Sequence, residues 1–378
     1  MNQRNTRSGN SQARGKMLRN WLILIAIVVV AAAGYLAISG ARAPKGPKSV
    51  SLSCFAGQSV KPFGEYVLFY DGVSIHCLTS TNTVRWSLAI GEGAKYNVGE
   101  KAMVAWLNTQ MYILDYEGRP TYQDTLGDVV QFAAIGKKYA AAVIGPDTNP
   151  TLVVRDLQGT QVDQETEAFK DQLLLDVGFY GDQGQYLWAT LLDVYGTAPN
   201  MTMKTFEVGK KNTGESMLGE SVPYRILFEN NRLRVITTRE MRAYNYQGIE
   251  SATDAMLVYG WRLVNAYTPS KGDAMMLFAP TEQTGSQFSI SELRLLSGNR
   301  DRRYTVPTAC VGAVVNSHGI YAFSSQYIYY AKTNSQRFEP YEFPIKNKQV
   351  TEVIGLLEGG KVLLACGDEV FVVTLPNG

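Results

Sequence analysis

Met111–Gly118 reads MYILDYEG, Leu152–Gly159 reads LVVRDLQG and Met241–Gly248 reads MRAYNYQG. Each is a short apolar run that closes on a polar residue and a glycine, the pattern of a buried strand entering a tight turn. Looser copies are Met203–Gly209 (MKTFEVG), Ser291–Gly298 (SELRLLSG) and Ile328–Ser335 (IYYAKTNS); Val73–Ser80 (VSIHCLTS) comes first and Glu369–Gly378 (EVFVVTLPNG) last. Taking the turns at Asn82, Gly118, Gly159, Gly209, Gly248, Gly298, Ser335 and Gly378 gives eight anchors 36 to 50 residues apart. A period near 40–50 made of four short strands marks radially arranged sheets. One such sheet cannot bury both its faces, whereas a closed ring of them can. The sequence therefore predicts an all-β, eight-bladed β-propeller over residues 49–378. Seven blades is the alternative, because the first and last copies are weak.

One blade shows the pattern in full. Ala94–Gly99 is the inner strand, Lys101–Leu107 the second, Gln110–Tyr116 the third and Arg119–Leu126 a polar outer strand. On the third strand Met111 and Ile113 share one face, and Tyr112, Leu114 and Tyr116 the other. The last blade has strands at Val350–Leu357, Lys361–Ala365 and Glu369–Leu375 and lacks an outer one. Ser49–Cys54 (SVSLSC) alternates and is otherwise unassigned, so it is expected to close the ring there and remove two exposed edges. Of the four cysteines (Cys54, Cys77, Cys310 and Cys366), none forms a CxxC pair, and buried thiols are the simpler reading. If a disulfide forms, the shared blade points to Cys54 and Cys366.

Ahead of the repeats, Trp21–Ile38 (WLILIAIVVVAAAGYLAI) carries no charge and no proline, and Ser39–Ala41 extends it. At 1.5 Å per residue this is long enough to cross a bilayer core. Arg4, Arg7, Arg14, Lys16 and Arg19 precede it with no acid among them, against Arg42, Lys45 and Lys48 behind it. The positive-inside bias keeps the N-terminus in the cytoplasm. The expected organisation is a basic tail (1–20), a transmembrane helix (21–41), a Pro/Gly linker (42–48) and an extracellular propeller (49–378) on a single-pass plasma-membrane protein. A signal peptide cleaved after Ser39-Gly40-Ala41 is the alternative.

The formal charge of +2 conceals a body of −3 once the five basic residues of the tail are set apart. A mildly acidic body argues against a nucleic-acid-binding domain, which needs a basic face, and the local cluster Arg300, Arg302 and Arg303 reads as a solvated turn rather than a basic patch. His76 and His318 are the only histidines, and no GxSxG, HExxH or P-loop occurs. Catalytic and metal residues are therefore not assigned. Three connections between second and third strands are lengthened: Gly145–Pro150 (GPDTNP), Asp193–Asn200 (DVYGTAPN) and Ala279–Ser286 (APTEQTGS). In a four-stranded antiparallel blade they gather on one face, where insertions mark a binding surface. Asp147, Asn149, Asp193, Tyr195 and Glu282 are its candidate contacts, Tyr195 first among them.

Asp71-Gly72 ahead of a strand, Trp86 behind it, and the Leu114–Gly118 LDYEG turn are similar to quinoprotein-like (PQQ-like) β-propeller repeats. An anchored propeller with a basic tail also resembles a membrane-anchored family of unknown function in Gram-positive bacteria. The resemblance implies the fold and not an activity. The quinone enzymes share an adjacent-cysteine pair that is not matched here, so no cofactor is expected. Outer-membrane assembly propellers, which the chain resembles in fold, are non-catalytic. The expected function is thus a membrane-anchored binding or scaffold module for an envelope protein or wall polymer. An extracytoplasmic glycan-active enzyme using two carboxylates is the alternative, because such pairs need not be close in sequence.

Overall fold

The computed structural model describes residues 46–210, 212–269, 272–281 and 289–377, with Val28 and Val30. The tail, most of the expected membrane segment, Glu282 and Gly378 lie outside the described residues. Among the described residues no helix is long and apolar enough to cross a membrane. The chain divides into residues 1–46 and 47–378, and the second unit is the β domain.

That domain consists of eight four-stranded antiparallel sheets, so the propeller has eight blades and not seven. Blade 1 is Lys61–Phe63, Tyr66–Tyr70, Ser74–Leu78 and Val84–Ala89, and blade 2 is Lys95–Val98, Ala102–Leu107, Gln110–Asp115 and Pro120–Thr125. Blades 3 to 7 follow in order over 130–165, 173–219, 225–257, 261–310 and 312–342. In blade 8, Glu352–Leu357, Lys361–Cys366 and Glu369–Thr374 are completed by Ser49–Phe55 from the start of the domain. Val50 lies opposite Val372, and the Thr374 N–H donates to the Lys48 carbonyl at 2.8 Å.

The recurring turn has a local cause. In blade 2 the Asp115 carboxylate accepts the Glu117 and Arg119 N–H groups, both at 2.9 Å. Asp156 does the same for Gln158 and Thr160 in blade 3, and Asn245 for Gln247 and Ile249 in blade 5. These Asx turns place the fourth residue in the left-handed region, with φ +77° at Gly118 and +90° at Gly159. Packing adds a second demand for glycine. A Cβ on Gly118 would overlap the Trp86 ring of blade 1, and one on Gly159 would overlap the Tyr122 ring of blade 2. The turns of blades 2 and 3 thus each receive an aromatic ring from the outer strand of the preceding blade, whereas Gly248 of blade 5 faces the Ser216 hydroxyl of blade 4.

Burial follows the strand order. The second and third strands are almost wholly buried, as in Ala102–Leu107 and Gln110–Asp115, whereas the innermost strands are only partly so. The innermost strand borders the channel, and the next two carry the core. Eight hydrophobic clusters occupy the eight blade interfaces. The one at the closure sets Leu52, Cys54, Val370 and Val372 against Val67, Phe69 and Leu78 of blade 1. Between blades 5 and 6, Arg234 Nε meets the buried Glu229 carboxylate at 2.6 Å, and the other Glu229 oxygen accepts the Ala274 N–H at 2.7 Å.

All four cysteines are buried free thiols. Cys54 and Cys366 do share blade 8, but the pairing between them is not formed. Cys54 packs toward blade 1 with Val370 and Val372, whereas Cys366 packs toward blade 7 with Phe371 and Val373. Alternation along Glu369–Thr374 puts those two sets on opposite faces, with that strand between the two cysteines. Burial pushes the Cys54 thiol up to about 11 and Cys310 to about 12, so these groups stay protonated and inert at neutral pH.

The double demand on the turn glycine yields a test. Gly118→Ala is expected to cost about 1–3 kcal/mol through overpacking against Trp86, on top of the left-handed strain. It should lower the urea midpoint measurably, while Arg119→Ala in the same turn leaves it nearly unchanged.

Candidate binding face

First and third strands run one way through each blade, and second and fourth strands return. Connections between second and third strands therefore share one face with the linkers between blades, the linker face. Connections between first and second, and between third and fourth, lie on the other, the hairpin face. Ser49 pairs with Val373 near the end of a third strand, so the chain enters the ring from the hairpin face.

Two of the lengthened connections, at residues 145–150 and 194–199, join second to third strands in blades 3 and 4, and so lie on the linker face; most of the third, residues 282–288 with Glu282, lies outside the described residues. Asp147 and Asn149 are exposed in the first, where the Asn149 N–H donates to the Pro146 carbonyl at 3.0 Å. Asp193 ends the second strand of blade 4 and its carboxylate accepts the Tyr195 N–H at 2.9 Å. Tyr195 is 64% exposed. The structure brings Asp193 and Tyr195 into one cleft with Lys170, Asp171 and Gln172, and leaves Asp147 and Asn149 outside its lining.

A second feature of this face lies in linkers of ordinary length. Val222 and Tyr224 precede blade 5, and Leu257 and Tyr259 stand at its end. They are 53%, 44%, 71% and 73% exposed. Both linkers are fastened to the same turn of blade 5: the Tyr224 N–H donates to Ile236 at 3.0 Å and the Val258 N–H to Arg239 at 2.9 Å. The Tyr224 hydroxyl also accepts the Leu263 N–H at 3.0 Å. Blade 5 has a fourth strand of only two residues, Met256–Leu257, which leaves the side chains beyond it uncovered. Apolar residues in linkers expected to be polar were the available signal, and the search for insertions passes over them.

The central channel has a mouth on each face. On the linker face a cavity of about 490 Å³ lies among the inner strands of blades 6, 7 and 8, with Arg262, Asn265, Thr351 and Glu352 in its wall. On the hairpin face one of about 790 Å³ lies under the first hairpins of blades 2 to 6, where Lys137 pairs with Glu100 at 3.6 Å. The innermost strands carry three carboxylates: Asp176 in blade 4, Glu229 in blade 5 and Glu352 in blade 8. Blades 4 and 8 stand across the ring from one another, and both oxygens of Glu229 are engaged. Burial raises the Asp176 carboxyl above the usual range, against the opposing pull of the Val177 N–H and Arg225. Among the described residues no three His, Cys, Asp or Glu side chains converge as a metal site would.

On blade 1, His76 joins two strands and a turn. Its Nε2 lies 2.7 Å from Asp71 Oδ2 and its Nδ1 lies 2.7 Å from Ser87 Oγ, with Phe69 stacked on the ring at 4.8 Å. The other Asp71 oxygen accepts the Val73 and Ser74 N–H groups. This chain braces the Asp-Gly turn against the exposed outer strand.

No protein-family model matches the chain, and no curated protein matches it. Solved structures do. The Dos1 propeller superposes with a TM-score of 0.52 at 9% identity, covering 85% of this chain and 96% of that one. BamB from Moraxella catarrhalis gives 0.49 at 9% identity, covering 88% and 97%. BBS1N in its complex with ARL6DN gives 0.46 at 10% identity, covering 86% and 94%. At these identities the Dos1 likeness bears on the fold alone, and the fold is a β-propeller.

The Asp71 brace generates a pH prediction. The Ser74 and Val73 N–H groups and His76 hold the carboxyl at about 2, below its ordinary 3.8. A depressed acid contributes stability above its unfolded pKa and loses it as pH falls through the folded one. Asp71→Asn should therefore be less stable than the native chain at pH 6, with the gap between their unfolding midpoints closing between about pH 4 and pH 2.

Proposed function

We propose that this protein is a membrane-anchored, extracytoplasmic binding module, non-catalytic, that docks an envelope protein on the linker face around blade 5. Residues 21–41 are its anchor, and the basic tail stays in the cytoplasm. The observation that carries the reading is the sector formed by Val222, Tyr224, Leu257 and Tyr259. These are large, largely apolar side chains on two linkers fastened to one turn, standing in water. Protein interfaces are enriched in tyrosine at their centres, where one ring buries about 150–250 Å². Loops carried on a rigid ring also keep a binding surface ordered before the partner arrives, which lowers the entropy cost of association.

The test is capture from crosslinked membranes. The full-length chain should retain a partner that Leu257→Ala/Tyr259→Ala loses by tenfold or more, with an unchanged melting temperature. A C-terminal alkaline phosphatase fusion should be active. Equal capture by the double variant, or an inactive fusion beside an active cytoplasmic reporter, contradicts the proposal.

A further inference from the structure

On the linker face at the boundary of blades 3 and 4, a cleft of about 500 Å³ is lined by Lys170, Asp171, Gln172, Asp193 and Tyr195. One wall is the linker out of blade 3. It is held by a short 3-10 turn, Glu167–Phe169, whose Phe169 is fully buried. The Glu165 carboxylate accepts the Thr166 and Ala168 N–H groups at 3.1 and 3.0 Å, and Lys204 Nζ donates to the Ala168 carbonyl at 2.7 Å. The Gln172 N–H donates to Phe169 at 3.2 Å, across Asp171 in the left-handed region at φ +58°. The opposite wall is Asp193 with Tyr195, tied by the 2.9 Å bond between them. The backbone of both walls is thus held without a ligand, as a preformed site requires.

The chemistry of the lining selects among ligands. Tyr195 is the one aromatic ring, and every other lining side chain is charged or an amide. An apolar side chain of a protein partner would have to strip water from Lys170, Asp171 and Asp193 without replacing its hydrogen bonds, which is costly. A sugar meets both demands: its C–H face lies on the tyrosine ring, and its hydroxyls replace water on the carboxylates and the amide. Asp193 bonds the Tyr195 amide through one oxygen and has a second for a ligand hydroxyl.

We infer that this cleft binds a segment of a neutral glycan, stacked on Tyr195 and hydrogen-bonded by Asp171, Gln172 and Asp193. The inference rests on the linker face being the binding face, but uses none of the residues around blade 5.

Saturation-transfer NMR on the full-length chain, in a detergent without a sugar head group, tests it with chitotetraose, cellotetraose and maltotetraose as probes. At least one should show transfer to its ring C–H protons. Tyr195→Ala should weaken that binding tenfold or more, Tyr195→Phe should retain it, and Leu257→Ala/Tyr259→Ala should leave it unchanged. No transfer from any probe, or equal binding by Tyr195→Ala, overturns the inference. So does a result in which Tyr195→Ala loses a captured protein while no sugar binds. Loss of protein capture in the blade 5 variant with sugar binding intact supports it and leaves the two sites separate.

Discussion

A ring of sheets has no exposed face only when its first and last blades are joined, and here a strand from the start of the domain completes that joint. Ser49–Phe55 completes blade 8, while the chain continues directly into blade 1. The strand does two things at once. Its backbone covers the edge of Glu369–Thr374, and its side chains Leu52 and Cys54 fill the interface against Val67, Phe69 and Leu78. Without it, the last blade would present a bare third strand and a half-empty face to water. The other seven interfaces are built between sequence neighbours.

Closure also decides the geometry of function. Because the ring fixes strand direction in every blade, inter-blade linkers and the lengthened connections must emerge together, and the chain must enter from the opposite side. A surface assembled on this face is thereby positioned by the ring and fastened locally, as where the two linkers flanking blade 5 bond its Ile236–Arg239 turn. Glycines at the third-to-fourth turns of blades 2 and 3, Gly118 and Gly159, let each of these blades seat the aromatic ring of its predecessor.

Much of the fold was legible because its determinants are local. The D-x-x-G and N-x-x-G turns announce themselves in sequence, since one side chain caps two amides and one glycine takes the left-handed position. The closing strand was legible from the count, as a fourth strand missing at the end and a spare one at the start. The faces of blade 8 were not. Leu52 and Cys54 alternate with exposed Ser51, Ser53 and Phe55, but alternation alone does not tell which neighbouring blade that buried face meets. The shrunken outer strand of blade 5 was equally hidden, because Met241–Gly248 is among the clearest copies of the repeat and gives no hint that only Met256–Leu257 follows. The apolar sector beside it depends on that loss. The Asp193–Tyr195 pair was visible as an insertion, but its cleft depends on Lys170–Gln172, which reach it only through the fold.

Native-state hydrogen exchange at the closing strand tests the account most directly. Amides paired between Ser49–Ser51 and Phe371–Val373 should exchange as slowly as those of the buried second strand Met103–Ala105, opening only when the whole ring opens. Exchange of the closing strand orders of magnitude ahead of that core would mean the ring stands without it, and would contradict the dependence of the linker face on closure.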